Sequence, residues 1–157
     1  MSLLRDLDFE VMREPWNKYS LADGAYLRAK YVLQRFRKGE RDAQNQQKID
    51  IKGQPIVVIY ALPETLRGQP ATHPYSQEEI QQATKEEVRY TTLEEEWNEY
   101  VLEDGDRIRI KGTVASVSRT NLRDMEGEPI YTVDSSMIVQ GTPRPRSVAS
   151  GHPTFRE

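Results

Sequence analysis

Trp97-Asn98-Glu99-Tyr100-Val101-Leu102-Glu103-Asp104-Gly105-Asp106-Arg107-Ile108-Arg109-Ile110-Lys111 is the second occurrence of one pattern. The first is Trp16-Asn17-Lys18-Tyr19-Ser20-Leu21-Ala22-Asp23-Gly24-Ala25-Tyr26-Leu27-Arg28-Ala29-Lys30, offset by 81 residues without a gap. Trp, Asn, Tyr, Leu, Asp, Gly, Arg and Lys recur in place, and Leu27 is answered by Ile108. Agreement this dense marks an internal duplication.

Each copy reads as a β-hairpin. Trp16 and Tyr19 suit a pleated, half-buried surface. Asp23-Gly24 and Asp104-Gly105 are hairpin dipeptides, and a type I′ turn is expected because it needs positive φ at both central positions. On the return strand, Leu27, Ala29, Tyr31 and Leu33 point one way and Arg28 and Lys30 the other. At Phe36 the apolar side changes parity. The second copy changes parity at the matching place, Val117 after Val114. Residues three apart cannot share a face of a regular strand. A β-bulge near Arg35 and Ser116 restores both, and bulges bend strands at the corners of closed or coiled sheets. The plainer alternative is that each strand ends there.

Outward from the hairpins, Lys38 to Gln54 reads as a long polar loop and Thr120 to Glu128 as a shorter one. Both end alike, Gly53-Gln54-Pro55-Ile56 against Gly127-Glu128-Pro129-Ile130, at an offset now of 74 residues. A third strand follows in each copy. Ile56 to Leu62 is apolar on both faces, as in a strand covered on both sides. Ile130 to Val139 is amphipathic. Before the first hairpin, Leu3, Leu4 and Leu7 suggest one helical turn, and Phe9 and Val11 a short strand. Between the copies, Ser76-Gln77-Glu78-Glu79 has capping-box spacing ahead of a short helix.

These readings predict a mainly β protein of internally duplicated three-stranded units, forming one pseudo-two-fold barrel or sandwich with a short helix in the connector. The first unit with its N-terminal segment covers 1–62, the connector 63–90, the second unit 91–140 and a Pro/Arg-containing tail 141–157, all within one compact domain.

Composition narrows the chemistry. Of 157 residues, 36% are hydrophobic and 30% charged, and the formal net charge of −3 gives no general pull towards nucleic acid or anionic lipid. The absence of cysteine excludes disulfides and thiolate chemistry. No apolar run suggests a leader or a membrane span, so a soluble cytoplasmic protein is expected. The two histidines, His73 and His152, each precede proline and lack metal-ligand spacing. Carboxylates fall in runs such as Glu94-Glu95-Glu96, which read as solvated faces. No catalytic motif is present. The expectation is therefore no enzyme, no cofactor and no metal.

Two constellations remain. Trp16, Tyr19, Asp23 and Gly24, with Trp97, Tyr100, Asp104 and Gly105, are the expected structural anchors, the tryptophans in the core. The competing reading makes the exposed aromatics a binding platform. Arg28 and Lys30, matched by Arg109 and Lys111, lie opposite the apolar face, and Arg35, Arg37 and Lys38 extend the first pair. Interleaved with Tyr26, Tyr31 and Phe36, these cations suit a single-stranded nucleic-acid groove. They equally suit a solvated sheet face. The leading expectation is a non-catalytic protein-interaction or assembly module whose partner is a protein. A single-stranded nucleic-acid-binding β-barrel is the alternative.

Overall fold

A computed structural model describes residues 4–142 and 155–156. The first copy supplies β1 (Arg5–Leu7), β2 (Phe9–Arg13), β3 (Asn17–Leu21), β4 (Tyr26–Arg41) and β5 (Gln47–Tyr60). A 3-10 turn at Glu64–Leu66 and helix α1 (Gln77–Gln82) follow. The second copy supplies β6 (Lys85–Glu87), β7 (Tyr90–Glu94), β8 (Asn98–Leu102), β9 (Arg107–Arg123) and β10 (Pro129–Thr142), and β11 (Phe155–Arg156) comes last. All described pairings are antiparallel. They form two sheets, packed as a sandwich rather than closed as a barrel.

The duplication extends further than the hairpins. β1 and β2 are answered by β6 and β7, and the two arms exchange sheets. β1 stays on β4 of its own copy, while β2 crosses to pair with β8. Reciprocally, β6 pairs with β9 and β7 crosses to β3. The crossed registers match, with Phe9 opposite Leu102 and Tyr90 opposite Leu21. Phe9 meets Tyr100 edge-on at 5.7 Å, and Tyr90 meets Tyr19 edge-on at 5.8 Å.

The bulges that the parity change predicts are present. The β4–β5 register shifts between Leu33 and Arg35, and the β9–β10 register shifts between Val114 and Ser116. Each long strand therefore serves two cores. One core joins Leu7, Leu33 and Phe36 to Tyr100, Leu102, Ile108, Ile110 and Val139. The other joins Tyr19, Leu21, Ala25 and Leu27 to Val88, Val114 and Val117. Each core takes the near half of one hairpin and the far half of the other.

Several expectations change. The segment from Leu4 to Leu7 contains strand β1, not a helical turn. The long loop 38–54 does not exist, because β4 runs to Arg41 and β5 starts at Gln47. The turn between them is the same length as its counterpart after β9. Asp42 Oδ1 accepts from the Gln44 and Gln46 N–H groups, and Asp124 Oδ1 accepts from those of Glu126 and Glu128. Asn45 (φ 62°) and Gly127 (φ 83°) hold the matching left-handed position. The Gly-x-Pro-Ile match at offset 74 is thus fortuitous, since Gly53 lies within β5 and Gly127 in a turn.

β5 is not covered on both sides. It pairs with β4 alone among the described residues, and Ile56 and Val57 are exposed. Pro55 fits that place, since proline within a sheet is confined to edges and bulges. The hairpin turns are not type I′ either. Only Gly24 (φ 96°) and Gly105 (φ 92°) are left-handed there. Their N–H groups donate to Leu21 O and Leu102 O, giving a type I turn followed by a left-handed glycine. α1 does carry the predicted capping box, Ser76 with Glu79.

Candidate functional site

The pseudo-two-fold extends to the buried polar groups. Tyr100 Oη donates to Glu14 Oε2 at 2.6 Å, and Tyr19 Oη donates to Glu95 Oε2 at 2.6 Å. Asn98 Nδ2 donates to Tyr31 O at 2.7 Å, and Asn17 Nδ2 donates to Gly112 O at 3.0 Å. The two asparagines thus tie each β3-type strand to the backbone of the opposite copy. Asp23 Oδ2 accepts from Arg119 Nη1 at 2.9 Å and from Tyr131 Oη at 2.6 Å. At the equivalent place Lys38 Nζ donates to Asp104 Oδ2 at 2.8 Å, and also to Asp106. Half-buried carboxylates are consequently engaged with phenols and cations, satisfying groups whose partial burial would otherwise be costly.

Sequence reading passes over Glu14, Arg119 and Tyr131, and its solvated face 94–96 fails at Glu95, which is half-buried against Tyr19. Glu14 and Glu95 do share the 81-residue offset, which was the available signal. Asp23 and Asp104 do hold their turns, accepting from the N–H groups of Ala25 and Asp106. Their second oxygens carry the ion pairs between copies.

Burial first, then the hydrogen bond to Glu95, pushes the Tyr19 phenol far above its ordinary value. Burial and Glu14 do the same for Tyr100. The unfolded phenols titrate near 10. Above that pH the native state therefore holds protons that the unfolded state has lost. Stability from these two groups is complete below about pH 10 and is lost as pH rises further, by about 1.4 kcal/mol per pH unit for each tyrosine. Urea midpoints falling between pH 9 and pH 11 test this. Ionisation of both phenols below pH 10 in the still-folded protein would contradict it.

The tryptophans are not in the core. Trp16 and Trp97 are half-buried, each just before the first residue of its strand. They lie on the outward face with the basic residues. Arg28 sits 5.0 Å and Lys30 5.4 Å from the Trp16 ring centre. Arg109 sits 4.5 Å and Lys111 5.6 Å from that of Trp97. Arg28 also lies 5.5 Å from the Tyr60 ring, which is tilted by 31° and centred 5.8 Å from that of Tyr26. Each copy therefore presents an indole plate capped by two cations.

The predicted basic cluster divides. Arg28 and Lys30 belong to the first plate and Arg109 and Lys111 to the second. Lys38 is 10% exposed and ion-paired across the copies, and Arg37 bonds Asp6 at 2.8 Å. Arg35 lies past the bulge with its Nε buried. Position along the strand grouped these cations, and the bulge and core separate them.

Among the described residues, no three His, Asp or Glu side chains are placed to hold a metal ion. No described helix is long and apolar enough to cross a membrane. A cleft of about 410 Å³ beside Ile59–Leu62 contains Arg67 and Glu128, joined to each other at 2.9 Å. No known family model, characterised protein or solved structure matches the chain.

Proposed function

We propose that this protein is a non-catalytic protein-interaction or assembly module whose contact surface is the pair of tryptophan plates. The observation that carries the reading is Trp16 under Arg28 and Lys30, repeated as Trp97 under Arg109 and Lys111. Neither indole is needed to fill a core, yet both copies place one outward. Tryptophan and arginine are the side chains that most often dominate binding energy at protein interfaces. Engagement of the half-buried carboxylates in structural bonds supports a non-catalytic role. In this reading the protein works in the cytoplasm.

A second reading has its own support. On the first plate, Trp16, Tyr60 and Tyr26 share a face with Arg28 and Lys30, which suits stacked bases and phosphates. The second plate argues for protein instead. Lys111 there is 3.7 Å from Glu95, and Glu99 approaches Arg13. Acidic groups among the cations would repel a phosphate backbone.

The test is a double substitution, Trp16→Ala with Trp97→Ala. Each change should cost on the order of 1 kcal/mol, the worth of an exposed cation–π contact, and leave a folded protein. Proteins that co-purify with the intact chain after nuclease treatment should be lost with the variant. Binding to single-stranded oligonucleotides that weakens steeply with salt, and is abolished by Trp16→Ala, would replace the leading reading by the second.

A further inference from the structure

The two copies differ at one edge. β10 carries β9 on one side and, at Gln140 and Gly141, β11 on the other. β5 carries β4 on one side, and its other edge has no strand among the described residues. Ala29 pairs with Val57 as Ile110 pairs with Val139, so β5 and β10 correspond at an offset of 82 residues. The positions in β5 that answer Gln140 and Gly141 are Val58 and Ile59.

The sandwich is also open beside that edge. Val139 is 6% exposed, while its counterpart Val57 is 36% exposed. Tyr31 packs against the first core, whereas its counterpart is Gly112. Ile110 is likewise answered by the smaller Ala29. The result is a slot lined by Ala29, Val57, Val114 and Ser135, with Gly112 at its side.

We propose that the edge of β5 left open among the described residues pairs with β5 of a second copy of this chain. The stretch Gln54-Pro55-Ile56-Val57-Val58-Ile59-Tyr60 is uncharged and rich in β-branched residues. An unprotected edge of this composition templates another strand. A two-fold axis through Val57 sets Val57 against Val57, Ile56 against Val58, Pro55 against Ile59 and Gln54 against Tyr60. No like charges meet, and both exposed apolar residues, Ile56 and Val57, are covered. The stretch itself carries no charged side chain with which to select a charged peptide, and its own sequence is the uncharged, β-branched strand that such an edge accepts. Lys48, Asp50 and Lys52 on the earlier part of β5 confine the pairing to its second half. Of the residues on the first plate the proposal uses only Tyr60, at the end of the pairing, so either reading can fail alone.

Sedimentation equilibrium of the full chain tests it. A reversible dimer with Kd on the order of 10 µM is expected, because a single strand pair lies at the small end of interface sizes. Ile56→Lys should weaken the dimer at least tenfold, since lysine on an edge strand blocks pairing. The equivalent change in β10, Ile138→Lys, should leave it unchanged. The chain has no cysteine, so Val57→Cys should give a covalent dimer on mild oxidation while Ile138→Cys does not. Thermal melts verify that each variant is folded. A monomer at every concentration up to about ten times that Kd would overturn the proposal. A dimer equally sensitive to both lysine substitutions, or a Val57→Cys chain that does not cross-link, would overturn it too.

Discussion

Cut between Thr72 and His73, the protein should yield two fragments that do not fold singly and that fold when mixed. The reason lies in how the cores are shared. The first fragment would keep Leu7, Leu33 and Phe36 from one core and Tyr19, Leu21, Ala25 and Leu27 from the other. The second would keep the complements. Each half-core would then face water, and burial of apolar area is the main favourable term in folding. The exchanged arms add to this, since β2 would lose β8 and β7 would lose β3. Separation should therefore remove the whole stability, typically about 5–15 kcal/mol for such a domain. Circular dichroism should show no cooperative melt for either fragment and one for the equimolar mixture. A cooperative melt from one fragment alone would mean that a single copy closes its own core.

What the sequence disclosed depended on local pattern. The repeat and its parity changes were enough to find two bulged hairpins, because a two-residue period fails visibly where an extra residue enters. The capping box placed α1 for the same local reason. The exchanged arms were not legible. β2 and β7 have five residues each, and which sheet they join is decided by distant pairings, Phe9 with Leu102 and Tyr90 with Leu21. After β4 the Gly-x-Pro-Ile identity misleads, because turn chemistry is the better guide there. Asp42 with Asn45 and Asp124 with Gly127 share the better signal, an acceptor followed by a residue tolerant of positive φ.

The candidate site shows the same division. The plate residues Trp16, Arg28, Lys30, Trp97, Arg109 and Lys111 all stand out in the repeat, but the expectation puts the tryptophans in the core. Strand parity already contained the correction. With Asn17, Tyr19 and Leu21 inward, alternation carries Lys18 and Trp16 outward. Size and apolarity argued the other way, and the inward position was already filled by tyrosine. What parity cannot give is the bonding of each core phenol to a carboxylate from outside the hairpin.

That bonding makes Tyr100→Ala the most damaging single substitution expected in this chain. Tyr100 is 1% exposed, meets Phe9 edge-on, and hydrogen-bonds Glu14 and Asn98. Truncating a buried aromatic to alanine costs about 3–5 kcal/mol in lost transfer energy and cavity. Glu14 and Asn98 would in addition each lose a partner, keeping the Leu33 N–H and the Tyr31 carbonyl, and a lost hydrogen bond to a charged group costs about 1.5–3 kcal/mol. Together these approach the stability of a domain this size, so the variant should be substantially unfolded at room temperature. Tyr100→Phe separates the two effects, since it keeps the ring and loses only the hydroxyl. It should cost about 1–3 kcal/mol, chiefly through the lost hydrogen bond to the Glu14 carboxylate, which keeps the Leu33 N–H. Trp97→Ala, larger by volume removed, should cost on the order of 1 kcal/mol. Urea unfolding of the three variants side by side should give the order Tyr100→Ala, then Tyr100→Phe, then Trp97→Ala. If Trp97→Ala proved the most destabilising, the indole would be a core anchor after all and the outward plates would lose their standing as a binding surface.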